Sequence, residues 1–248
     1  MKYLSLFLLA FLFSCKTSET KLTAQQVIDK TIVYSGADKV ANSEISFNFR
    51  DKEYVALRET NGKFVLIRNQ ITEEGEIISD IVRNNGFTRE VNAEEFPIPD
   101  LMASKYSNSV NSVHYFSVLP HGLNDKAVNK KLLKAATIKG KDYYKVEVTF
   151  SENGGGEDFE DIFIYWIGKE DFLIDYLAYS YHTNGGGKRF RVLKEQCIIN
   201  GIRFVDYHNY KSLKKTVSLN NIDKAFENNE LKKVSEIVLK DIEVKILQ

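Results

Sequence analysis

Between Tyr143 and Tyr210 the chain carries long, aromatic-rich segments separated by glycine turns, and that run limits the fold to an antiparallel sheet. Tyr144, Val146, Val148 and Phe150 alternate with Lys145, Glu147 and Thr149, a period of two that predicts a half-buried strand. Asn153-Gly154-Gly155-Gly156 breaks the pattern, and Ile162 to Ile167 resumes as an almost wholly apolar run. Phe172 to Tyr181 follows, with apolar and aromatic residues on both faces. Asn184-Gly185-Gly186-Gly187 leads into Lys188 to Ile199, Asn200-Gly201 is a two-residue hairpin signal, and Ile202 to Tyr210 closes the run. The pattern predicts a meander of about five strands.

Upstream, residues 16–22 form a short polar tether, and Thr23 opens a helix with Gln26 as its capping-box partner. Val27, Ile28, Ile32 and Val33 make the helix's apolar stripe, and Gly36 is placed to end it. Strand patterns follow at Ile45–Phe49, Tyr54–Glu59, Phe64–Arg68, Glu76–Arg83 and Phe87–Val91, with turns at Asn61-Gly62 and Asn85-Gly86. After Pro97-Ile98-Pro99, Asp100 is placed to cap a helix through Leu101, Met102 and Tyr106. Val113 to Leu119 is apolar and takes no assignment from its pattern. Past the break at Pro120-His121-Gly122, Asn124 or Asp125 is placed to cap a short helix through Ala127, Val128, Leu132 and Leu133. A helical insert therefore separates two runs of strands, and Val234 to Ile246 is expected as one last strand. No boundary interrupts 23–248, which is expected to form a single β-rich domain, mainly antiparallel β with a few helices (α+β).

Charge removes one class of partner. The 34 basic residues balance 34 acidic ones, so no net field draws nucleic acid or an anionic membrane surface.

The first residues are the most specific signal. Lys2 gives a positive start, and Tyr3 to Phe13 form an apolar region too short to span a bilayer. The sequence Leu12-Phe13-Ser14-Cys15 resembles the lipobox of bacterial lipoproteins, although Phe13 is bulkier than the usual residue there. That resemblance implies a signal peptide over 1–14, cleavage before Cys15, and acylation of Cys15 (palmitate being one such chain). Lys16 follows, with no aspartate to signal inner-membrane retention. By the same resemblance the protein is exported and tethered to the outer membrane, on its periplasmic or its surface face. Cys197 would then be left without a disulfide partner, and its strand context predicts a small buried hydrophobe.

A leading helix, meander strands, a central helical insert and further strands behind a lipobox resemble the lipoprotein-carrier architecture of LolA-, LolB- and LppX-like proteins. The resemblance covers most of the mature chain through element order, with no short motif. It implies a half-open, curved, barrel-like sheet capped by the N-terminal helix and the insert, with room for an acyl chain between sheet and helices. Asn111–Phe116, Leu119–Asp125 and Gly185–Arg191 also resemble uncharacterised lipoproteins of Bacteroidetes-type bacteria.

Local chemistry is sparse. Both triple-glycine loops lead into strands, whereas a phosphate cradle leads into a helix N-terminus, so hairpin tips are expected. After the second loop, Lys188, Arg189 and Arg191 are candidate contacts for an anion or lipid headgroup. Glu157, Asp158, Glu160 and Asp161 flank the first loop, and would pair with those cations if the tips are neighbours. Calcium is the alternative for the acidic run, without the regular spacing of a calcium loop. His114, His121, His182 and His208 show no metal-ligand spacing, although His182 and His208 would approach if their strands pair. No catalytic or cofactor motif is present, and neither a cofactor nor a metal is expected.

The aromatic stripe is the positive evidence for a ligand. Tyr165, Trp166, Phe172, Tyr176, Tyr179 and Tyr181 lie on strands apolar on both faces, so each face needs a cover. The first expectation is therefore a lipid-anchored envelope protein binding a lipid or other hydrophobic molecule between sheet and helices. A structural or interaction lipoprotein with a filled core is the alternative. A hydrolase-like enzyme is the third, with Asp161, His182 and Arg189 as the residues that would have to converge.

Overall fold

A computed structural model describes residues 21–154, 159–182, 185–214 and 216–247. The signal segment and Cys15 lie outside the described residues, as do Gly155, Gly156, Glu157, Asp158, Thr183 and Asn184.

Helix α1 (Ala24–Tyr34) is followed by a 3-10 turn (Ala37–Asn42) and the strands β1 (Ser43–Phe49), β2 (Lys52–Arg58) and β3 (Phe64–Ile71). Strands β4 (Ile77–Arg83), β5 (Gly86–Val91) and β6 (Glu94–Glu95) lead to helix α2 (Asp100–Ser117). Then come β7 (Val128–Leu132), β8 (Ala136–Ile138), β9 (Lys141–Phe150), β10 (Ile162–Gly168) and β11 (Ile174–Tyr181). Strands β12 (Gly187–Ile199) and β13 (Ile202–Ser212), helix α3 (Ile222–Glu227), β14 (Leu231–Ile237) and β15 (Leu239–Ile246) complete the chain.

The strands form two antiparallel sheets that do not close into a barrel. The first has the order β15-β1-β2-β3-β4-β5-β6, the second β14-β13-β12-β11-β10-β9-β7, with β8 paired to the start of β9. The chain crosses between them at Val238, since β14 pairs with β13 and β15 with β1. Val234 to Ile246 is thus two strands in different sheets, where one was expected. The break lets Ile237 and Leu239 both bury against the shared core, while Asp206 Oδ1 accepts from the Leu239 amide at 3.0 Å.

α1 forms for the reason its sequence predicts. Thr23 caps the Gln26 amide at 3.2 Å, and the Gln26 side chain accepts from the Thr23 amide at 2.9 Å. Val27 and Ile28 then bury completely. Gly36 ends the helix at φ 69°, and a Cβ there would lie 1.7 Å from the Gly201 carbonyl oxygen, so both conformation and contact require glycine.

The expected helix from Asn124 or Asp125 is not formed. The chain turns there and enters β7, pairing Lys130 with Val148. Cap residues and turn residues are the same types, and the open edge of β9 supplies a backbone ladder that decides the outcome. Asp100 is the first residue of α2 rather than its cap, which is Pro99, and the unassigned apolar stretch continues that helix to Ser117. Cys197, expected to be buried, is exposed: residues 195–198 of β12 are open to solvent, although Phe204, its partner on β13, is buried. Among the described residues no helix is long and apolar enough to cross a membrane.

The main core lies between the two sheets, with α1 and the end of α2 inside it. A second cluster covers the outer face of the second sheet, where Ile164, Trp166, Ala178 and Phe190 pack with Ile222 of α3. That explains strands apolar on both faces. It also corrects the expectation for β9, whose Lys145 is 4% exposed, buried beneath α3.

Candidate functional site

Helix α2 is attached differently to the two sheets. Toward the first it is held by buried polar groups in addition to apolar packing, with Val110 against Ala56 and Leu66 and Phe116 edge-on to Phe49 at 5.5 Å. Arg68 donates to Ser109 Oγ at 2.7 Å, Arg89 stacks on the Tyr106 ring at 3.7 Å, and His114 Nε2 donates to the Ile67 carbonyl at 3.0 Å. Arg68 and Arg89 are themselves fixed by Asp80, which is wholly buried and accepts from both guanidinium groups.

Toward the second sheet α2 meets aromatic rings. Phe163 of β10 is the hub, stacked on Tyr179 at 5.5 Å and Tyr165 at 6.3 Å, with Phe150 edge-on at 5.8 Å and Tyr115 of α2 at 6.3 Å. One phenol pair, Tyr115 to Tyr165 at 3.3 Å, joins the helix to this layer. Burial pushes the Tyr115 hydroxyl up to about 12 and raises that of Tyr165 as well, so both stay neutral donors. Phe163, Tyr179, Tyr115 and Phe116 are half-buried, unlike the closed core beside them.

A cation lies against this layer. The Arg191 guanidinium sits 4.6 Å from the Phe116 ring and 5.3 Å from that of Tyr179. Arg191 is 8% exposed, and its Nε has no hydrogen-bond partner among the described residues. A buried guanidinium with no carboxylate partner among the described residues, framed by ring faces, can bind an anion or a polar ligand group.

The residues proposed from sequence are distributed among several places. Tyr165 and Tyr179 belong to the aromatic layer, and Tyr181 adjoins Tyr179 at 6.1 Å. Phe172 lies beside α1, between Tyr34 at 5.4 Å and Tyr144 at 5.8 Å. Trp166 and Tyr176 face the opposite side of the sheet, both in contact with Phe190 under α3. Arg189 and Arg191 share the inner face, while Lys188 points outward and donates to the Val217 carbonyl at 2.7 Å. Tyr115, Phe116, Phe150 and Phe163 carry the layer as well and were not singled out from sequence; a two-sided apolar strand does not say which face is inner.

The other constellations resolve simply. His182 Nδ1 lies 3.6 Å from Asp161 Oδ1, so the strand ends flanking the two loops are neighbours. Arg189 turns to the Tyr181 ring, 5.1 Å away, and to the Lys188 carbonyl. His208 contacts Glu236 and pairs across the sheet with Val192, away from His182. Among the described residues no group of three or more His, Cys, Asp or Glu is placed to hold a metal ion.

The chain belongs to a family of unknown function, DUF6503, whose model matches residues 1–238. No curated protein matches it. Among solved structures it is similar to a LolA superfamily protein from Nitrosomonas europaea, at 14% identity and a TM-score of 0.49 over 92% of this chain and 94% of that one. A DUF1329 family protein from Desulfovibrio piger is 12% identical, with a TM-score of 0.41 over 91% and 92%. The Mycobacterium tuberculosis lipoprotein LppX is 11% identical, with a TM-score of 0.28 over 65% and 90%.

Proposed function

We propose that this member of the family is an exported, envelope-associated binding protein that holds a lipid or similar hydrophobic molecule in the seam between α2 and the second sheet. The observation that carries the reading is the asymmetry of α2, fastened to one sheet by buried polar bonds and resting on the other through half-buried rings centred on Phe163. Apart from the Tyr115–Tyr165 phenol pair, the contacts on this side are ring faces and edges, which part without leaving unsatisfied polar atoms, so this is the side on which a hydrocarbon chain can enter at least cost. Each methylene buried there contributes about 0.8 kcal/mol, so retention needs no catalytic group. Arg191, with Arg189 two residues before it on the same face, is the proposed contact for a polar or anionic end. Attachment through an acylated Cys15, by the match of Leu12-Phe13-Ser14-Cys15 to a lipobox, completes the proposal. Displacement of a fluorescent acyl probe by lipid, in the native protein and in Phe163→Asp, tests it. The probe should bind the native chain and lose affinity in the variant.

A second reading has its own observation. Ile71 and Ile77 are register partners at one end of the first sheet and are 75% and 49% exposed. Exposed apolar residues of this kind favour a protein partner in the envelope. Catalysis is the weakest of the three, since Arg189 does not join the Asp161–His182 pair.

A further inference from the structure

The outer face of the first sheet is apolar along its middle. Ala56, Leu66 and Val82 point inward to Val110 of α2, so their neighbours Val55, Leu57, Val65, Ile67 and Ile81 lie on the opposite face. Ile81 is 5% exposed and the other four are half-buried, yet none of the five joins an interior cluster of the described residues. The corresponding face of the second sheet is covered by α3.

The two ends of this face differ in shape and in charge. At one end Ile71 and Ile77, opposite each other on β3 and β4, stand out of the sheet, 75% and 49% exposed. The turn between them carries Glu73, Glu74 and Glu76, all exposed, and is closed by the Thr72 amide donating to the Glu76 carbonyl at 2.9 Å. Glu53 and Glu90, in register with Asn69 and Ser79, extend the acidic half of the face. At the other end, between the hairpin tips, lies an open depression of about 280 Å³. Leu57, Phe64 and Val65 line it, with Lys63 and Arg83 beside them and Glu59 as its one carboxylate.

An apolar knob ringed by carboxylates and an apolar depression flanked by cations are complementary to each other. One molecule cannot join them, since Val65 and Ile71 are about 20 Å apart along β3. A two-fold axis in the plane of the face, crossing the strands near Ile67, sets each knob over the other copy's depression. The same operation lays the acidic half of one copy on the basic end of the other. A membrane surface is a poorer match, because the carboxylates around the knob repel anionic lipid. Four strands about 4.8 Å apart, over about eight residues of about 3.3 Å, give about 500 Å² per copy and about 1,000 Å² for the pair. That is the lower end of specific interfaces, so the pairing is reversible.

We propose that the outer face of β2–β5 pairs with the same face of a second copy of this chain, Ile71 and Ile77 of each entering the depression beside Val65 of the other. This rests on the reading of the Ile71–Ile77 surface as a protein contact and names the partner; it does not depend on the acyl seam.

The test is photo-crosslinking in intact bacteria that express two differently tagged full-length copies, each with a photoreactive phenylalanine analogue in place of Ser79, which lies on this face. The expected result is a product joining the two tags. Ile71→Asp should reduce that product by about tenfold or more. Reversing the cations (Lys63→Glu with Arg83→Glu) should do the same, as should reversing the turn (Glu73→Lys, Glu74→Lys and Glu76→Lys). Expressed together, the two charge-reversed chains should pair with each other although neither pairs with itself, which also shows that both are folded. Absence of a product joining the tags, a product indifferent to Ile71→Asp, or charge-reversed chains that fail to pair overturns the proposal. Products with other proteins alone would overturn the self-pairing and keep the protein contact; products with lipid alone would overturn both.

Discussion

Trp166 donates its indole N–H to Asp223 Oδ2 across 3.1 Å, a buried bond joining the centre of the second sheet to the short helix α3. The same carboxylate lies 3.4 Å from Lys145 Nζ, which also donates to the Asn220 carbonyl. Lys145 has its proton affinity lowered by burial, with Asp223 opposing that shift. Asp223→Ala would leave a buried cation uncompensated and an indole unpaired. The expected loss is about 3–5 kcal/mol by urea denaturation, with Asp223→Asn intermediate because its amide oxygen still accepts from Trp166. A loss below about 1 kcal/mol would contradict the account of α3 as a polar-pinned cover.

Asp80 plays the matching part under α2. It accepts from Arg68 Nε at 3.2 Å and from Arg89 Nε at 2.7 Å, and those arginines hold Ser109 and Tyr106 of the helix. Asp80→Ala should cost about 3–5 kcal/mol and raise amide exchange along α2. Removing the exposed Lys52–Asp51 pair should change neither. Equal effects from the two substitutions would overturn this ranking.

Periodicity carried the two-sided apolar strands and the α1 cap, because each is written in a few adjacent residues. It could not say what covers each face of β10. The outer cover comes from α3, six residues long, too short to display a helical period. Lys145 therefore looked like a solvent residue in an alternating strand. Tyr115 and Phe116 sit in a stretch whose pattern gives no element, so the helix's share of the aromatic layer is not legible from it. Cys197 was misjudged for a related reason: a strand pattern does not show where its cover stops.

Acid should destabilise the fold through its histidines. His114 at about 3 and His121 at about 4 lie below the ordinary 6.5, so between those limits the unfolded chain binds protons that the folded chain refuses. Each depressed base therefore removes stability as pH falls from 6.5, by about 1.4 kcal/mol per pH unit at most. Urea titrations at pH 7.5, 6 and 5 on the native chain and His114→Gln should differ in slope by about one proton. Identical slopes would show that His114 is not held neutral.

The two faces of the second sheet should separate in ligand assays. Arg191→Gln, on the seam, should weaken an acidic acyl probe by about tenfold and a neutral one less. Tyr176→Leu, beneath α3, should leave both affinities unchanged. Sensitivity at Tyr176 with indifference at Arg191 would move the ligand to the outer face.

The central claim is that α2 and the second sheet enclose a hydrophobic molecule. Residues 16–248, purified from bacteria without detergent, should be examined by native mass spectrometry, followed by solvent extraction and lipid analysis. A stoichiometric co-purified hydrophobe, lost in Phe163→Asp, is the predicted result. A clean apo mass, with no uptake when lipid is added back, would contradict it and shift the weight to the exposed Ile71–Ile77 surface and a protein partner.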